Sequence, residues 1–190
     1  LFFVVVNLIS AIDDVSCVTT AGAQCFRVCE SATTFDLPAL TTAGNGCFQG
    51  CHSTTTFDLP ALTTAGEACF YDCTAAITFN LLPSLTTAGN SCFASNTSAT
   101  TYDLPSLATA GVQCFFGNTS VTTFNLLPSL TSAGYECFKN CALGTTFDLP
   151  ALTTAGDYCF NFCYAATLIN IPLCTALGTT VGDNGVFNDI

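Results

Sequence analysis

A single phrase, TTFDLPALTTAGxxCFxxC, recurs roughly seven times between Asp14 and Asp189 at a spacing of 22 or 23 residues. A unit this short cannot bury its own apolar face, so successive units have to stack on one another. The repeat therefore predicts a solenoid of about seven or eight coils, in which equivalent residues line up in columns along the axis.

The columns keep their order through the whole repeat. An aromatic residue opens each unit, from Phe35 to Phe147, and a Cys-Phe pair closes it. Two units carry an extra leucine, at Leu81-Leu82-Pro83 and at Leu126-Leu127-Pro128. An added residue in a strand is best accommodated as a bulge beside the proline, so we expect the next strand to stay in phase.

Each coil is predicted to contain two short extended segments. Around the aromatic residue, Phe35 and Leu37 should face inward while Thr34 and Asp36 face outward. Proline then ends this strand, and LTTAG forms a second extended stretch turned by its glycine. A tight helical or turn segment follows from Cys47 to Cys51, so the inner set of each coil is Phe, Leu, Leu, Ala, Cys, Phe, Cys.

We expect one domain over residues 1–190, with N-terminal coils at 1–32, regular repeats at 33–167 and an irregular C-terminal coil at 168–190. Leu1 to Ile9 is strongly apolar but much shorter than the about 20 residues of a membrane span, and we expect it to form the first coil. Thr179 to Asp183 and Val186-Phe187 echo the repeat. Neither end shows the polar cap that repeat arrays carry, which predicts either further chain or cover by another subunit.

The charge balance excludes two classes of partner. Only 8% of the residues are charged, the net charge is −11, and Arg27 and Lys139 are the only cationic side chains besides His52. A surface this acidic repels nucleic acid and anionic membranes, so neither is expected as a partner.

The repeat resembles the BspA-type leucine-rich repeat, whose units run L-T-x-I-x-[IL]-P-x-[VL]-T-x-I-G-x-x-A-F-x-x-C. The segment TTFDLPALTTAGNGCFQGC at Thr33 to Cys51 and its copies carry the match over nearly the whole chain. Two departures are consistent, because Ala43 replaces the isoleucine before glycine and Cys47 replaces the alanine before phenylalanine. The resemblance implies a right-handed leucine-rich solenoid with short strands and short helical or 3-10 turns. It also implies extracellular or cell-surface display and an adhesive or binding role, and it implies no enzyme activity.

The fourteen cysteines leave three interpretations open. In one column asparagine replaces cysteine at two positions, and leucine-rich repeats place Asn or Cys at one buried site that bonds the turn backbone. This predicted structural ladder consists of Cys29, Cys51, Cys73, Asn96, Asn118, Cys141 and Cys163. Buried free thiols are favoured, because Cys92 and Cys114 persist in the other column where the second cysteine is absent. In-coil disulfides and a thiolate metal array are the alternatives.

Asn96-Thr97-Ser98 and Asn118-Thr119-Ser120 are formal N-glycosylation sequons. Their asparagines fall in the column that should be buried, so we expect no glycan on them. His52 follows Cys51 directly and the two side chains should diverge, which argues against a Cys-His dyad. The sequence predicts no enzyme, no cofactor and no metal site.

The outward face of the first strand is the predicted binding surface, with hydroxyl, carboxylate and amide groups repeating at about 4.8 Å as a flat grid. It consists of Thr34, Asp36, Thr56, Asp58, Thr78, Asn80, Thr101, Asp103, Thr123, Asn125, Thr146 and Asp148. Such a grid suits a surface glycan, a calcium-bridged surface or a partner protein.

Three functions follow from these features. The first is an extracellular adhesion or recognition module that uses this face. The second is a structural subunit that stacks through its chain ends into an extracellular homopolymer, since contacts between unlike ends do not close. The third is ice binding by the threonine columns, against which the neighbouring aspartates argue because charge holds water strongly.

Overall fold

The computed structural model describes residues 17–178, which form a parallel β-solenoid of about seven turns. The expected first coil at Leu1 to Ile9 and the repeat echoes from Thr179 to Phe187 lie outside the described residues. Residues 17–178 contain no helix that could cross a lipid bilayer.

Each coil contributes two very short strands. The even-numbered strands centre on the aromatic residue that opens the unit, and most odd-numbered strands are a Thr-Ala or Ser-Ala pair. The bounds are β1 Thr20–Ala21, β2 Thr34–Asp36, β3 Thr42–Ala43, β4 Thr56–Asp58, β5 Thr64–Ala65, β6 Thr78–Phe79, β7 Thr87–Ala88, β8 Thr101–Tyr102, β9 Thr109–Ala110, β10 Thr123–Phe124, β11 Ser132–Ala133, β12 Thr146–Asp148, β13 Thr154–Ala155, β14 Leu168–Asn170 and β15 Ala176–Leu177.

The odd-numbered strands form one continuous eight-stranded parallel sheet, in the order β1-β3-β5-β7-β9-β11-β13-β15. Residues of the same column pair directly, as Thr42 does with Thr64 and Ala43 with Ala65. The even-numbered strands form three smaller parallel sheets, β2-β4, β6-β8 and β10-β12-β14. This second side of the solenoid is therefore interrupted twice, before β6 and before β10.

Both interruptions lie at the coils with an extra leucine. Leu82 and Leu127 occupy the inner column and are fully buried, whereas the preceding Leu81 and Leu126 are 38% and 39% exposed. The N–H of Leu59 donates to the carbonyl of Leu81 at 3.1 Å, as the N–H of Leu37 does to Asp58 in a regular coil. Two residues thus oppose one, which defines a bulge. The next strand stays in phase, because Thr64 of β5 still pairs with Thr87 of β7.

The third side of the coil consists of turns, and residues 17–178 contain no helical or 3-10 segment. In the segment that follows Gly44, the N–H groups of Gly46, Phe48 and Gly50 donate to carbonyls of the next coil at 2.7 to 2.9 Å. The intervening Cys47 and Gln49 donate three residues back within the turn. A helix would direct all these N–H groups along its own axis, so bonding between coils replaces the expected helical turn.

This backbone path requires left-handed residues at two columns of the turn side. Every full coil has a pair of them four residues apart, such as Gln24 and Val28, or Ala68 and Asp72. Glycine supplies the conformation at Gly46, Gly50 and Gly117, and non-glycine residues supply it in the other positions. Contacts between coils therefore hold these residues in a conformation that costs free energy locally.

The core is the predicted inner set, since Phe35, Leu37, Leu40, Ala43, Cys47, Phe48 and Cys51 are all buried. Two columns of aromatic rings run through it. Phe48 stacks on Phe70 of the next coil with ring centroids 5.3 Å apart and an interplanar angle of 6°, and it meets Phe57 edge-on at 5.5 Å. Such pairs stabilise proteins by about 0.5–1.5 kcal/mol beyond the area they bury, so the stacks bind each coil to its neighbours.

The glycine that recurs in every coil is required for close packing of coils, and not for the turn that the sequence predicts. A Cβ atom built on Gly134 would lie 2.7 Å from backbone atoms of Gly111 and Val112 in the preceding coil. Its φ angle is not in the left-handed region. The glycine column therefore allows neighbouring coils to approach closely, and the residues that turn the chain are the left-handed ones that follow it.

Candidate functional site

All twelve residues of the predicted binding face retain solvent access, nine of them on the even-numbered strands and Asn80, Asp103 and Asn125 directly after a strand. Thr34, Asp36, Asn80, Thr123 and Asn125 are exposed, and the other seven are half-buried. The aromatic residue between each threonine and its acidic or amide partner is buried, as Phe35 is between Thr34 and Asp36. The packed core therefore holds the outward side chains at fixed positions.

This face is less regular than the flat grid expected from the sequence. The ladder is broken before β6 and β10, and at those coils Leu81 and Leu126 project beside Asn80 and Asn125. The four aspartates of the face belong to coils without the insertion. Charge and apolar surface therefore occupy different coils.

No Lys, Arg or His side chain within residues 17–178 pairs with the carboxylates of the face. In residues 17–178 Lys139 forms an ion pair with Glu136 at 2.6 Å and His52 contacts Asp72 at 3.0 Å, and all four residues lie in turn segments. Asp148 accepts a hydrogen bond of 2.8 Å from the amide of Asn170 in the next coil. A ligand for this face would meet negative charge that the protein itself does not neutralise.

The column of cysteines and asparagines bonds the backbone of the turn side. Cys51 and Cys73 donate their Sγ–H to the carbonyls of Phe26 and Phe48, one coil back, at 3.1 Å. Cys141 and Cys163 make the same contact at 3.2 Å, and Cys29 is buried at the first described coil.

The two asparagines of this column make more bonds than the cysteines do. The amide of Asn118 donates to the carbonyls of Phe93 and Phe115, and its oxygen accepts the N–H of Asn96, all at 3.0 Å. Asn96 bonds Phe93 and Cys73 in the same way. Both asparagines are fully buried, so a glycan has no access to either nitrogen in the folded chain.

All fourteen cysteines are free thiols in this structure, and eleven are buried. Burial, which disfavours the charged thiolate, raises the pKa of Cys137 and of Cys163 to about 12. Thiols in such surroundings react and bind metals poorly. Among residues 17–178, no three His, Cys, Asp or Glu side chains are arranged to hold a metal ion.

The structure separates the neighbouring Cys51 and His52. The thiol of Cys51 lies in the core, whereas His52 is exposed and contacts Asp72. Their side chains diverge, as the regular backbone predicts, and the pair is not arranged for nucleophilic catalysis.

Sequence reasoning missed the surface of the eight-stranded sheet. Its outward column is uncharged and comprises Thr20, Thr42, Thr64, Thr87, Thr109, Ser132 and Thr154. In the adjacent column the hydroxyls of Thr41, Thr63 and Thr86 each donate to a carbonyl one coil back at 2.9 or 3.0 Å. The repeated Thr-Thr before Ala-Gly was the signal that distinguishes this face.

A second missed feature is a cluster on the turn side near the C-terminal end. Gln113 and Lys139 donate to Glu136 at 2.6 Å, and Lys139 lies 5.5 Å from the centre of the Phe162 ring. Burial opposes the charged form of Glu136, but the hydrogen bonds from Lys139 and Gln113 outweigh it and lower the pKa of that carboxyl. The cluster is satisfied internally and links three coils.

Comparison with known proteins gives a consistent answer. The family model described as BspA type leucine rich repeat region matches residues 6–115 and 95–184, with six copies. No curated protein matches the chain. A T. pallidum leucine-rich repeat protein of known structure is 20% identical, with a TM-score of 0.67 over 78% of this chain and 72% of that one. A leucine-rich repeat protein from Bacteroides ovatus is 20% identical, with a TM-score of 0.57 over 81% of this chain and 46% of that one.

Proposed function

The chain belongs to the BspA-type leucine-rich repeat family, and from that premise we propose that it is an extracellular adhesion or recognition module. Proteins of this family are often surface-associated, which supports display outside the cell or at its surface. The binding surface is the outward face of the even-numbered strands, and its ligand is a surface glycan or a protein.

One observation carries the choice of this face. Its four aspartates are accessible, project outward beside buried aromatic residues and lack a cationic partner in residues 17–178. These carboxylates can accept charge-assisted hydrogen bonds from the donors or cations of a ligand without any rearrangement of the protein. Rigid presentation also avoids the entropy that a mobile loop loses on binding.

The test compares two variants with the same change in charge. Replacement of Asp36, Asp58 and Asp103 by alanine removes carboxylates from the face. The control replaces Glu30, Glu67 and Asp157, which lie outside it. Binding to a glycan array and to cultured cell surfaces should fall only in the first variant, and an equal loss in both would mean that net charge, rather than this face, determines binding.

A second candidate function is end-to-end assembly into a fibre. The last described coil exposes Leu168, Leu173 and Leu177 by 41% to 57%, and a second copy stacked against these apolar side chains would bury them. Deletion of Leu1 to Ile9 should then abolish filaments seen by negative-stain electron microscopy. Filaments that persist after this deletion would exclude the proposed end contact.

Ice binding, if it occurs, belongs to the eight-stranded sheet rather than to the face with aspartates. The outward column of that sheet is uncharged and carries a hydroxyl residue in seven successive coils, six threonines and Ser132, which removes the objection that charge raises. Thermal hysteresis at millimolar protein, lost when Thr64 and Thr87 are replaced by lysine, is the expected observation. Absence of hysteresis in the unmodified chain would remove this candidate.

A further inference from the structure

We propose that Asp103, together with Leu81 and Leu126, forms a recognition site for one arginine or lysine side chain of a partner protein. The inference rests on the proposed function and specifies which part of the face discriminates between ligands.

The two bulges place an apolar side chain on either side of the coil of Asp103. The carbonyls of Leu81 and Leu126 accept hydrogen bonds from the N–H groups of Leu59 and Leu104 at 3.1 Å. In a regular coil the carbonyl of the aspartate makes this bond, as that of Asp58 does with Leu37. The following leucines, Leu82 and Leu127, take the buried places. Each insertion therefore adds an outward leucine while leaving the core unchanged, and bulges commonly redirect side chains in this way.

The same two coils also remove negative charge next to Asp103. They carry Asn80 and Asn125 in the column where the regular coils carry aspartate. Asp36 and Asp58, by contrast, are direct partners on adjacent strands. Asp103 is therefore an isolated carboxylate, half-buried, with amide and apolar groups on both sides. No side-chain hydrogen bond or ion pair satisfies it among the described residues.

The spacing suits one long cationic side chain. In the aromatic column beneath, Tyr102 lies 5.2 Å from Phe79 and 6.1 Å from Phe124, so the two leucines are separated by two coils, roughly 10 Å. Carbon atoms pack at about 3.5–4.0 Å, which leaves room for a single aliphatic stem between them. Arginine and lysine bury such a stem on apolar surface while the charged head reaches a carboxylate.

Charge complementarity identifies the source of the cation. The chain carries a net charge of −11 with one arginine and one lysine. Lys139 is already paired with Glu136 on the turn side, and Arg27 lies in a turn segment of the first described coil. The face supplies no cation of its own, so the partner has to bring it. A neutral glycan can donate hydroxyl groups to the carboxylate but brings no opposite charge.

The test uses two synthetic peptides, acetyl-Thr-Thr-Arg-Thr-Thr-amide and its counterpart with citrulline, which keeps the shape of arginine without the charge. Binding is followed by NMR titration, which measures millimolar affinities. The variants are Asp103→Asn, Leu81→Ala with Leu126→Ala, and the control Asp36→Asn in the same column. Asparagine already occupies this column at Asn80 and Asn125, so the fold tolerates the change.

We expect the arginine peptide to bind at least about tenfold more tightly than the citrulline peptide. Asp103→Asn should abolish that difference, the double leucine variant should weaken binding about threefold or more, and Asp36→Asn should change it less than twofold. Equal binding of the two peptides, or equal effects of Asp103→Asn and Asp36→Asn, would overturn the site. If the site is overturned, the variant in which Asp36, Asp58 and Asp103 are replaced by alanine decides the proposed function. If that variant loses binding to cells or glycans, the proposed function stands without this site. If that variant keeps its binding, the site and the proposed function both fail.

Discussion

Replacement of Gly134 by alanine tests whether close contact between coils, rather than turn formation, requires the glycine column. The new Cβ would lie 2.7 Å from the carbonyl carbon of Gly111 and from the nitrogen of Val112. Both are backbone atoms with neighbours on each side, so neither can rotate away. Carbon atoms in contact normally stay about 3.5–4.0 Å apart, which means that the two coils would have to separate by roughly 1 Å at this point.

That separation would lengthen the hydrogen bonds nearest to it. The N–H of Gly134 donates to the carbonyl of Ala110 at 2.9 Å, and the N–H of Gln113 donates to the carbonyl of Tyr135 at 2.8 Å. Loss of two such bonds at about 1 kcal/mol each, with about 1–3 kcal/mol for overpacking, predicts that the free energy of unfolding falls by about 3–5 kcal/mol.

The matched control is Gly22→Ala. Gly22 opens the described part of the same column, and a Cβ there would meet no atom of residues 17–178 within 4 Å. Urea denaturation followed by circular dichroism gives the free energy of unfolding for both variants. Gly22→Ala should stay within about 0.5 kcal/mol of the unmodified chain, as surface substitutions usually do. A similar small effect for Gly134→Ala would refute the close-approach explanation.

Three further outcomes are expected. Asn118→Ala should lower the free energy of unfolding by about 1–3 kcal/mol, because it leaves a buried backbone N–H without an acceptor, whereas the exposed Asn125→Ala should be close to neutral in the same denaturation assay; equal effects would contradict the role of the buried column. In the folded chain a thiol reagent should label exposed Cys17 and half-exposed Cys174 before the buried thiols, and mass spectrometry showing uniform labelling would contradict their burial. The pKa of Glu136 is lowered on folding, so its charge stabilises the protein above the unfolded pKa of about 4.3, and that contribution is lost as the pH falls. Thermal denaturation should therefore show the Glu136→Gln variant to be less stable than the unmodified chain at pH 7 and equally stable at pH 3. A difference in stability that does not depend on pH would be evidence against the ion pair.

The sequence predicts the columns well because they depend on periodicity. Phe48 and Cys51 are buried and Asp36 faces outward, as the spacing indicates. The same periodicity predicts that a one-residue insertion leaves the later coils in register, and the pairing of Thr64 with Thr87 confirms it.

Features that depend on the space between coils could not be predicted in the same way. The glycine recurs at a constant position, which fits both a turn and a close contact between coils. Only the short distance between Gly134 and the preceding coil distinguishes these two explanations. The left-handed residues of the turn side include Ala68 and Tyr158, residue types that carry no signal for that conformation. Of the helical or turn segment expected there, the turn is the form that the structure shows, because bonds to the next coil satisfy its N–H groups.

The stacked aromatic columns and the hydrogen bonds between coils all run along the solenoid axis, which gives the molecule a direction of mechanical weakness. A load applied between its two ends pulls on the outermost coil first, and each interior coil stays protected until its neighbour has left. Release of one coil frees 22 or 23 residues, or roughly 75 Å of extended chain. A tether built from such coils would lengthen in small, nearly equal steps under tension, and so absorb a sudden force that would detach a rigid anchor.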